Sequence, residues 1–196
     1  MRTFLETGRL TLRPFHESDA DAVLALDNDP EVMRYINGGA STTRAEVLRE
    51  TMPALLRHYA CLDGPAGMEG RGYWAAQDRV SGAFLGWFEF RPVRGDSCDE
   101  VELGYRLDRR AWGGGLATEG SRALIRLGFT QLGVLRVTAT TMTVNERSRR
   151  VMEKAGLRYV RTFFEEWPDA IEGSELGDVE YAVTRAQWPA GRGDFD

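Results

Sequence analysis

Residues 9 to 15, RLTLRPF, set Leu10, Leu12 and Pro14 against charged neighbours, the period-2 pattern of a strand with one buried face. Ser18, with Asp21 at the third position after it, predicts an N-cap and a carboxylate in the first turn of a short helix through Val23, Leu24 and Leu26, ended by DNDP. Thr43 and Glu46 have capping-box spacing. Leu48, Met52, Leu55, Leu56 and Tyr59 follow at i, i+4, i+7, i+8 and i+11, an apolar helical stripe that Pro53 would kink. Residues 60 to 72, ACLDGPAGMEGRG, read as a glycine-rich loop.

From Tyr73 the pattern turns to aromatic and β-branched runs: YWAAQ, a DRVSG turn, AFLGWFEF, a PVRGDSCD connection and VELGYRL. Three consecutive antiparallel strands are the simplest account. Helix signals return at 116 to 132 and again from 146 to Ala155, where Gly156 sits at the expected C′ position; residues 135 to 142 between them read as a strand. Two last strands fit 157 to 164 and 179 to 185. These elements predict an α+β fold, a mixed sheet of about seven strands flanked by about four helices.

A chain of 196 residues, 42% apolar, fits one domain over 1 to 185 with a polar tail at 186 to 196. No apolar run approaches the about 20 residues that span a bilayer, and MRTFLETGRLTLRP lacks the apolar stretch of a secretory signal, so no membrane association and a cytoplasmic location are expected. Cys61 and Cys98 form no CxxC pair and stand beside no histidine, which gives no support to a disulfide framework or a zinc site and predicts buried or idle thiols. His16 and His58 lie in unremarkable polar contexts and give little support to a serine or cysteine triad. A net charge of −5 opposes nucleic-acid binding and suits a cationic partner.

Candidate chemistry concentrates in RRAWGGGLATEG, residues 109 to 120, between a strand ending near Leu107 and a helix beginning near Leu116. A helix start exposes unpaired N–H groups and the positive end of a dipole, and glycines let backbone approach a bulky anion, for which diphosphate is the natural guest. Glycines before a helix also serve as a plain turn. No Lys-Ser/Thr follows Gly115, so this is not a Walker A loop, nor is it a dinucleotide GxGxxG. Along the helix, Glu119, Arg122 and Arg126 read as a solvated side opposite Ala123, Leu124 and Leu127.

Arg110, Gly113 and Gly115 meet the Q/R-x-x-G-x-G/A signature of the GNAT acyltransferase superfamily, which this sequence resembles. VELGYRLDRRAWGGGLATEG is similar to that family's fourth strand and third helix, and VNERSRRVMEKAGL to its Asn-containing fourth helix. TGRLTLRPF and DNDPEVMRYING resemble its RimJ/RimL-like branch, so the likeness runs from about residue 7 to about residue 185. It implies acetyl-CoA as co-substrate, no metal, and a mostly antiparallel sheet whose fourth and fifth strands splay apart. The pantetheine arm would pair with Leu103, Gly104, Tyr105 and Leu107, and the cradle would comprise Arg110, Trp112, Gly113, Gly114, Gly115, Leu116 and Ala117. Asn145, an ordinary N-cap by position, would also bond the pantetheine or the substrate.

Acyl transfer to an amine needs the amine neutral and a thiolate released. At pH 7 an α-amine costs about 1.4 kcal/mol to deprotonate and a lysine amine about 4.6 kcal/mol. Alternation puts Glu102 on the face opposite Val101 and Leu103, and the resemblance suggests it as base, with Glu166 second. Where many members carry a tyrosine acid this chain has Met152, and Ser148, three residues after Asn145, is similar to the serine suggested for RimL-like members and is the candidate substitute. Residues 165 to 178 hold six carboxylates, Glu165, Glu166, Asp169, Glu172, Glu175 and Asp178, with no Lys or Arg, and are either solvated or the mouth that gathers cationic acceptors. The resemblance implies a peptide or protein N-terminal α-amine as acceptor; a small-molecule amine, including an antibiotic, and a noncatalytic acyl-CoA-binding module are the alternatives. Homodimers are common in folds with exposed edge strands.

Overall fold

A computed structural model describes residues 3–59, 70–94, 97–164 and 171–188. The strands are β1 (Leu5–Glu6), β2 (Leu10–Pro14), β3 (His58–Tyr59), β4 (Arg71–Asp78), β5 (Phe84–Arg94), β6 (Ser97–Leu107), β7 (Arg136–Met142), β8 (Arg158–Phe163) and β9 (Asp178–Thr184). They form one sheet in the order β1-β2-β4-β5-β6-β7-β9-β8, with β3 paired to β4 outside that path. Only β6 and β7 run parallel; every other neighbouring pair is antiparallel. The expected α+β fold with a mixed, mostly antiparallel sheet is present.

The helices are α1 (Ala20–Asp27), α2 (Pro30–Asn37), α3 (Arg44–Glu46), α4 (Met52–Leu55), α5 (Leu116–Thr130) and α6 (Glu146–Ala155). Strand alternation divides the core between the two sheet faces. Phe88, Phe90, Leu103, Leu124, Ile125 and Met152 pack on the side of α5 and α6. Phe15, Val23, Val47, Met52, Leu55 and Trp87 pack on the side of α1 to α4. Gly120 brings α5 close to β5, since a Cβ there would stand 2.3 Å from the Phe88 ring. Met152, in the family's tyrosine position, is 2% exposed and serves the core.

Several elements differ from the sequence reading. Ser18 lies in a 3₁₀ turn, Glu17–Asp19, and α1 begins only at Ala20, because Asp19 turns its carboxylate back to the His16 N–H. DNDP ends α1 but also starts α2: Asp29 accepts from the Glu31 N–H and Pro30 takes the first helical position. The Thr43–Glu46 capping box is formed. A π-helical turn, Val47–Thr51, follows it ahead of Pro53 and adds a residue to the turn, so Val47 is buried where the 3.6-residue stripe placed Leu48, which is exposed. The helical run therefore stops at Leu55, and Tyr59 belongs to β3. PVRGDSCD is largely strand, since β5 extends to Arg94 and β6 starts at Ser97. Cys98 is disulfide-bonded and no described cysteine is a free thiol, which corrects the expectation of buried or idle thiols; the residues next to a cysteine do not reveal whether it is bridged. Cys61 lies outside the described residues.

Arg13 and Asp19 make a buried two-pronged pair, with Nη1 to Oδ2 and Nη2 to Oδ1 both at 2.7 Å. Burial pushes the Asp19 carboxyl up, but the Arg13 hydrogen bond, the His16 N–H and the Arg13 charge outweigh it and hold the group below its usual range. A carboxylate depressed in the folded state contributes stability above its unfolded value, near 3.9, and loses it as pH falls through the lower folded value. Asp19→Asn leaves Arg13 buried without its counter-charge and should cost about 3 kcal/mol. Urea unfolding at pH 7 checks the size. The gap between wild type and variant should narrow below pH 4.

Candidate functional site

At the end of β6, Asp108 accepts from the Arg110 N–H at 2.9 Å and caps the 3₁₀ turn Arg109–Ala111. The Arg110 side chain folds back onto Asp108 and stays exposed. Trp112 Nε1 donates to the Leu107 carbonyl at 2.8 Å, with the Arg147 guanidinium 5.2 Å over its ring. Gly113 and Gly115 have φ of 76° and 81°, a region costly to other residues. A Cβ on Gly113 would meet nothing within 4 Å, so the loop's outer side is open space. Gly115 caps α5 with no side-chain bond, which leaves the first N–H groups of the helix, at Leu116 and Ala117, without a side-chain acceptor. The geometry suits a diphosphate: open glycine backbone leads into an uncapped helix dipole.

Arg9, which the sequence reading did not single out, braces this loop. Its Nη1 donates to the Gly114 carbonyl at 2.7 Å, and Nε and Nη2 reach Glu119 Oε2 at 2.7 and 2.6 Å. Glu119 Oε1 also accepts from the Thr7 hydroxyl at 2.6 Å and the Arg9 N–H at 2.9 Å. Glu119 is therefore the anchor of the β1–β2 turn and not a solvated charge. Burial raises its carboxyl, and the Thr7 and Arg9 bonds more than offset that and hold it low. A contact between residues about a hundred positions apart leaves no local pattern.

β6 and β7 pair only at Glu100↔Arg136, Val101↔Val137 and Glu102↔Thr138, yet β6 continues to Leu107 and β7 to Met142. Beyond Glu102 the two strands diverge and leave a wedge edged by Leu103, Gly104, Tyr105 and Leu107. Leu103 and Leu107 point into the core. Tyr105 is hydrogen-bonded to α6 through the Ser148 carbonyl at 3.0 Å and the Ser148 hydroxyl at 2.9 Å, and burial pushes its phenol up. Asn145 accepts from the Ser148 N–H at 3.2 Å and donates to Thr141 Oγ1 at 3.0 Å, so it caps α6 and ties it to β7.

On the α1–α4 side, Glu102 Oε2 accepts from Arg91 Nη2 at 2.7 Å and Oε1 from Thr140 Oγ1 at 3.2 Å. Arg91 Nε also donates to Glu89 Oε1, which the Tyr73 hydroxyl reaches at 3.4 Å. Burial pushes the Glu89 carboxyl up; the Arg91 charge opposes that shift and the Glu102 charge adds to it. Glu89 and Arg91 escaped the sequence reading, although two charges at i and i+2 in the apolar run AFLGWFEFR signal one shared polar face. Arg106, further along β6, bonds Asp27 at 2.5 Å and lies 4.9 Å from the Trp87 ring.

Glu165, Glu166 and Asp169 lie outside the described residues. Of the remaining acidic positions, Glu172 is exposed and pairs with Arg34 of α2 at 3.4 Å, Glu175 is exposed, and Asp178 is buried in β9 and so is no part of a solvated mouth. Among the described residues no cluster of His, Cys, Asp and Glu could hold a metal ion, and no helix is long and apolar enough to cross a membrane.

Residues 9–158 match the acetyltransferase (GNAT) domain family. The FsC-acetyl coenzyme A-N(2)-transacetylase of Aspergillus fumigatus is 34% identical over 190 residues, which cover 94% of this chain and 77% of that protein. The ribosomal L7/L12 α-N-protein acetyltransferase RimL, in complex with coenzyme A, has the same fold with a TM-score of 0.73 at 16% identity, over 93% of this chain and 98% of that one. Spermidine N-acetyltransferase from Vibrio cholerae, in complex with CoA and spermine, gives 0.72 at 15% identity over 92% and 98%. The family match runs from β2 through the glycine cradle and the wedge to α6, and with a transacetylase alike along nearly the whole chain it means that this protein belongs to the GNAT acetyltransferase family and is an acetyl-CoA-dependent N-acetyltransferase acting on amines.

Proposed function

We propose that the acceptor is an α-amine, in the first instance the N-terminus of a peptide or protein, as in the RimJ/RimL-like branch. The charge arrangement on the acceptor face carries this reading. Glu89 and Glu102 share one cation, Arg91, and the neighbouring Asp27 is matched by Arg106. Such a face can take one proton from an amine but offers little excess negative charge to a polycation. An α-amine, with pKa about 8, needs only that modest help. RimL, an α-N-protein acetyltransferase, supports the same class of nitrogen.

In this reading the N–H groups from Gly113 to Leu116 hold the donor's diphosphate, those expected at Arg110 and Trp112 being spent on Asp108 and Arg109, and the free edge of β6 from Leu103 to Leu107 takes the pantetheine as an added strand. Acetyl-CoA supplies an acetyl thioester whose alkyl thiol, with pKa near 8.5, leaves readily at neutral pH. The Ser148 hydroxyl, held by Tyr105, stands on the α6 side of the wedge as a proton donor, and the carboxylate pair that includes Glu102 stands on the acceptor side. Glu166 remains a candidate of the same kind on the β8–β9 connection.

Thiol release measured with a free peptide, an N-blocked peptide bearing lysine, spermidine and an aminoglycoside tests the acceptor class. At pH 7 the free α-amine should exceed the lysine amine by about 100-fold in kcat/KM, following the difference in their pKa values. A second reading, a small molecule carrying such an amine, follows from the same charge balance, which suits an α-amine on a smaller carrier as well as on a peptide. Faster turnover of spermidine or the aminoglycoside than of every α-amine overturns both readings.

A further inference from the structure

The two carboxylates of the acceptor face differ in what their oxygens do. Both oxygens of Glu102 are engaged, Oε2 by Arg91 at 2.7 Å and Oε1 by Thr140 at 3.2 Å. Glu89 commits only Oε1, to Arg91 Nε and to the Tyr73 hydroxyl, and among the described residues no donor reaches its Oε2. The position of that oxygen is set by register. Glu89 of β5 stands opposite Gly104 of β6, and a Cβ on Gly104 would lie 2.7 Å from Oε2. Gly104 is two residues past Glu102, the last residue of β6 to pair with β7. The free oxygen thus lies over the β6 backbone where the wedge opens, a place that any side chain at position 104 would occupy.

We propose that Glu89 is the catalytic base that takes the proton of the acceptor amine, and that Glu102 is a positioning residue acting through Arg91. The assignment rests on the wedge being the donor site. Glu102 has a donor on each oxygen, Arg91 on Oε2 and Thr140 on Oε1, whereas Glu89 Oε2 carries none among the described residues and is the less encumbered acceptor. The ammonium proton passes to Glu89 Oε2, the freed nitrogen lone pair forms the N–C bond to the acetyl carbon, the C–S bond breaks, and its electron pair leaves on sulfur. The sulfur then takes a proton from the Ser148 hydroxyl or water, and the second nitrogen proton goes to solvent, which also reloads the side chains. The charged groups facing Glu89 are Tyr73 from β4, Arg91 on its own strand and Glu102 from β6. Arg91 opposes the burial that pushes the Glu89 carboxyl up, and Glu102 adds to that push.

The test compares Glu89→Gln, Glu102→Gln and Gly104→Ala in the full chain, using whichever amine the wild type turns over. Thiol release is followed against pH, and CoA binding by thermal shift. Glu89→Gln should lower kcat by about 100-fold or more, with partial recovery at high pH and an unchanged CoA shift. Glu102→Gln should keep most of its plateau rate but move the acid limb to lower pH, because the charge that raises Glu89 is gone; a merely structural role would not move that limb. Gly104 has an ordinary φ, so alanine is tolerated by the backbone, and its methyl should push Oε2 aside and lower kcat. A Glu89→Gln enzyme within about threefold of wild type, or a folded Gly104→Ala enzyme with unchanged kcat, overturns the assignment. So does a larger loss at Glu102 than at Glu89. Failure of the α-amine reading shows separately, as turnover of another amine by the wild type, on which the same variants are then read.

Discussion

Gly115→Val should abolish the thermal stabilisation that coenzyme A confers, while the unliganded protein unfolds within a few degrees of wild type. Gly115 has φ of 81° and is the residue from which α5 starts without a side-chain cap. A β-branched residue is a genuine outlier at positive φ, so valine pushes the loop toward another backbone path and turns the Leu116 and Ala117 N–H groups away from a common focus. A Cβ at this position meets only Arg9 Nη2, at 3.7 Å, so the apo fold suffers local strain of about 1–3 kcal/mol and no core collision. Loss of the diphosphate contacts should weaken coenzyme A by about 100-fold or more, since charge-assisted bonds from several N–H groups fail together. The same change at Gly113 should act alike, its φ being 76° with open space around it. Undiminished thermal stabilisation by coenzyme A in both variants would move the diphosphate elsewhere.

How much of this was legible in the sequence depends on the range of the interaction. Capping at Thr43 and Asn145, the glycine stop at Gly156 and the strand alternation from Tyr73 to Leu107 are set by residues within one turn or one pleat, and each appears as read. The glycine turn before α5 is legible for the same reason, since its glycines and the helix they open are contiguous. The helical stripe misplaced Leu48 because a π-helical turn changes the periodicity on which a stripe is read. α2 escaped because DNDP was taken only as a stop, although Asp29 and Pro30 are equally good starting residues.

The acceptor face was legible only at Glu102. The sequence places Glu89 on β5 and Gly104 on β6, but nothing local says that they meet; that follows from the register of a hairpin whose bulge at Pro92/Arg94 shifts the count. The Arg9–Glu119 brace and the Cys98 bridge are likewise tertiary events. Tyr105 holds Ser148 across the gap between β6 and α6, a partner for the acid candidate that spacing cannot supply.

Arg91→Met should give opposite pH trends in activity and stability. Arg91 is the shared cation of Glu89 and Glu102, and without it two carboxylates face each other with no counter-charge between them. Burial already pushes Glu89 up, and removing the opposing charge raises it further. With less of the base ionised at pH 7, turnover should fall by about tenfold or more and recover as pH rises. Stability should move the other way. A carboxyl whose folded pKa exceeds its unfolded value, near 4.3, binds more protons folded than unfolded in the window between them, so unfolding free energy falls as pH climbs through it. The loss at pH 8 should be about 2 kcal/mol, below that of a fully buried pair because a third of the Arg91 side chain is in water. Arg91→Lys, which keeps the charge, should restore most of the neutral-pH rate. An Arg91→Met enzyme whose rate and urea midpoint both keep the wild-type pH dependence would mean that the two carboxylates titrate independently of the cation between them.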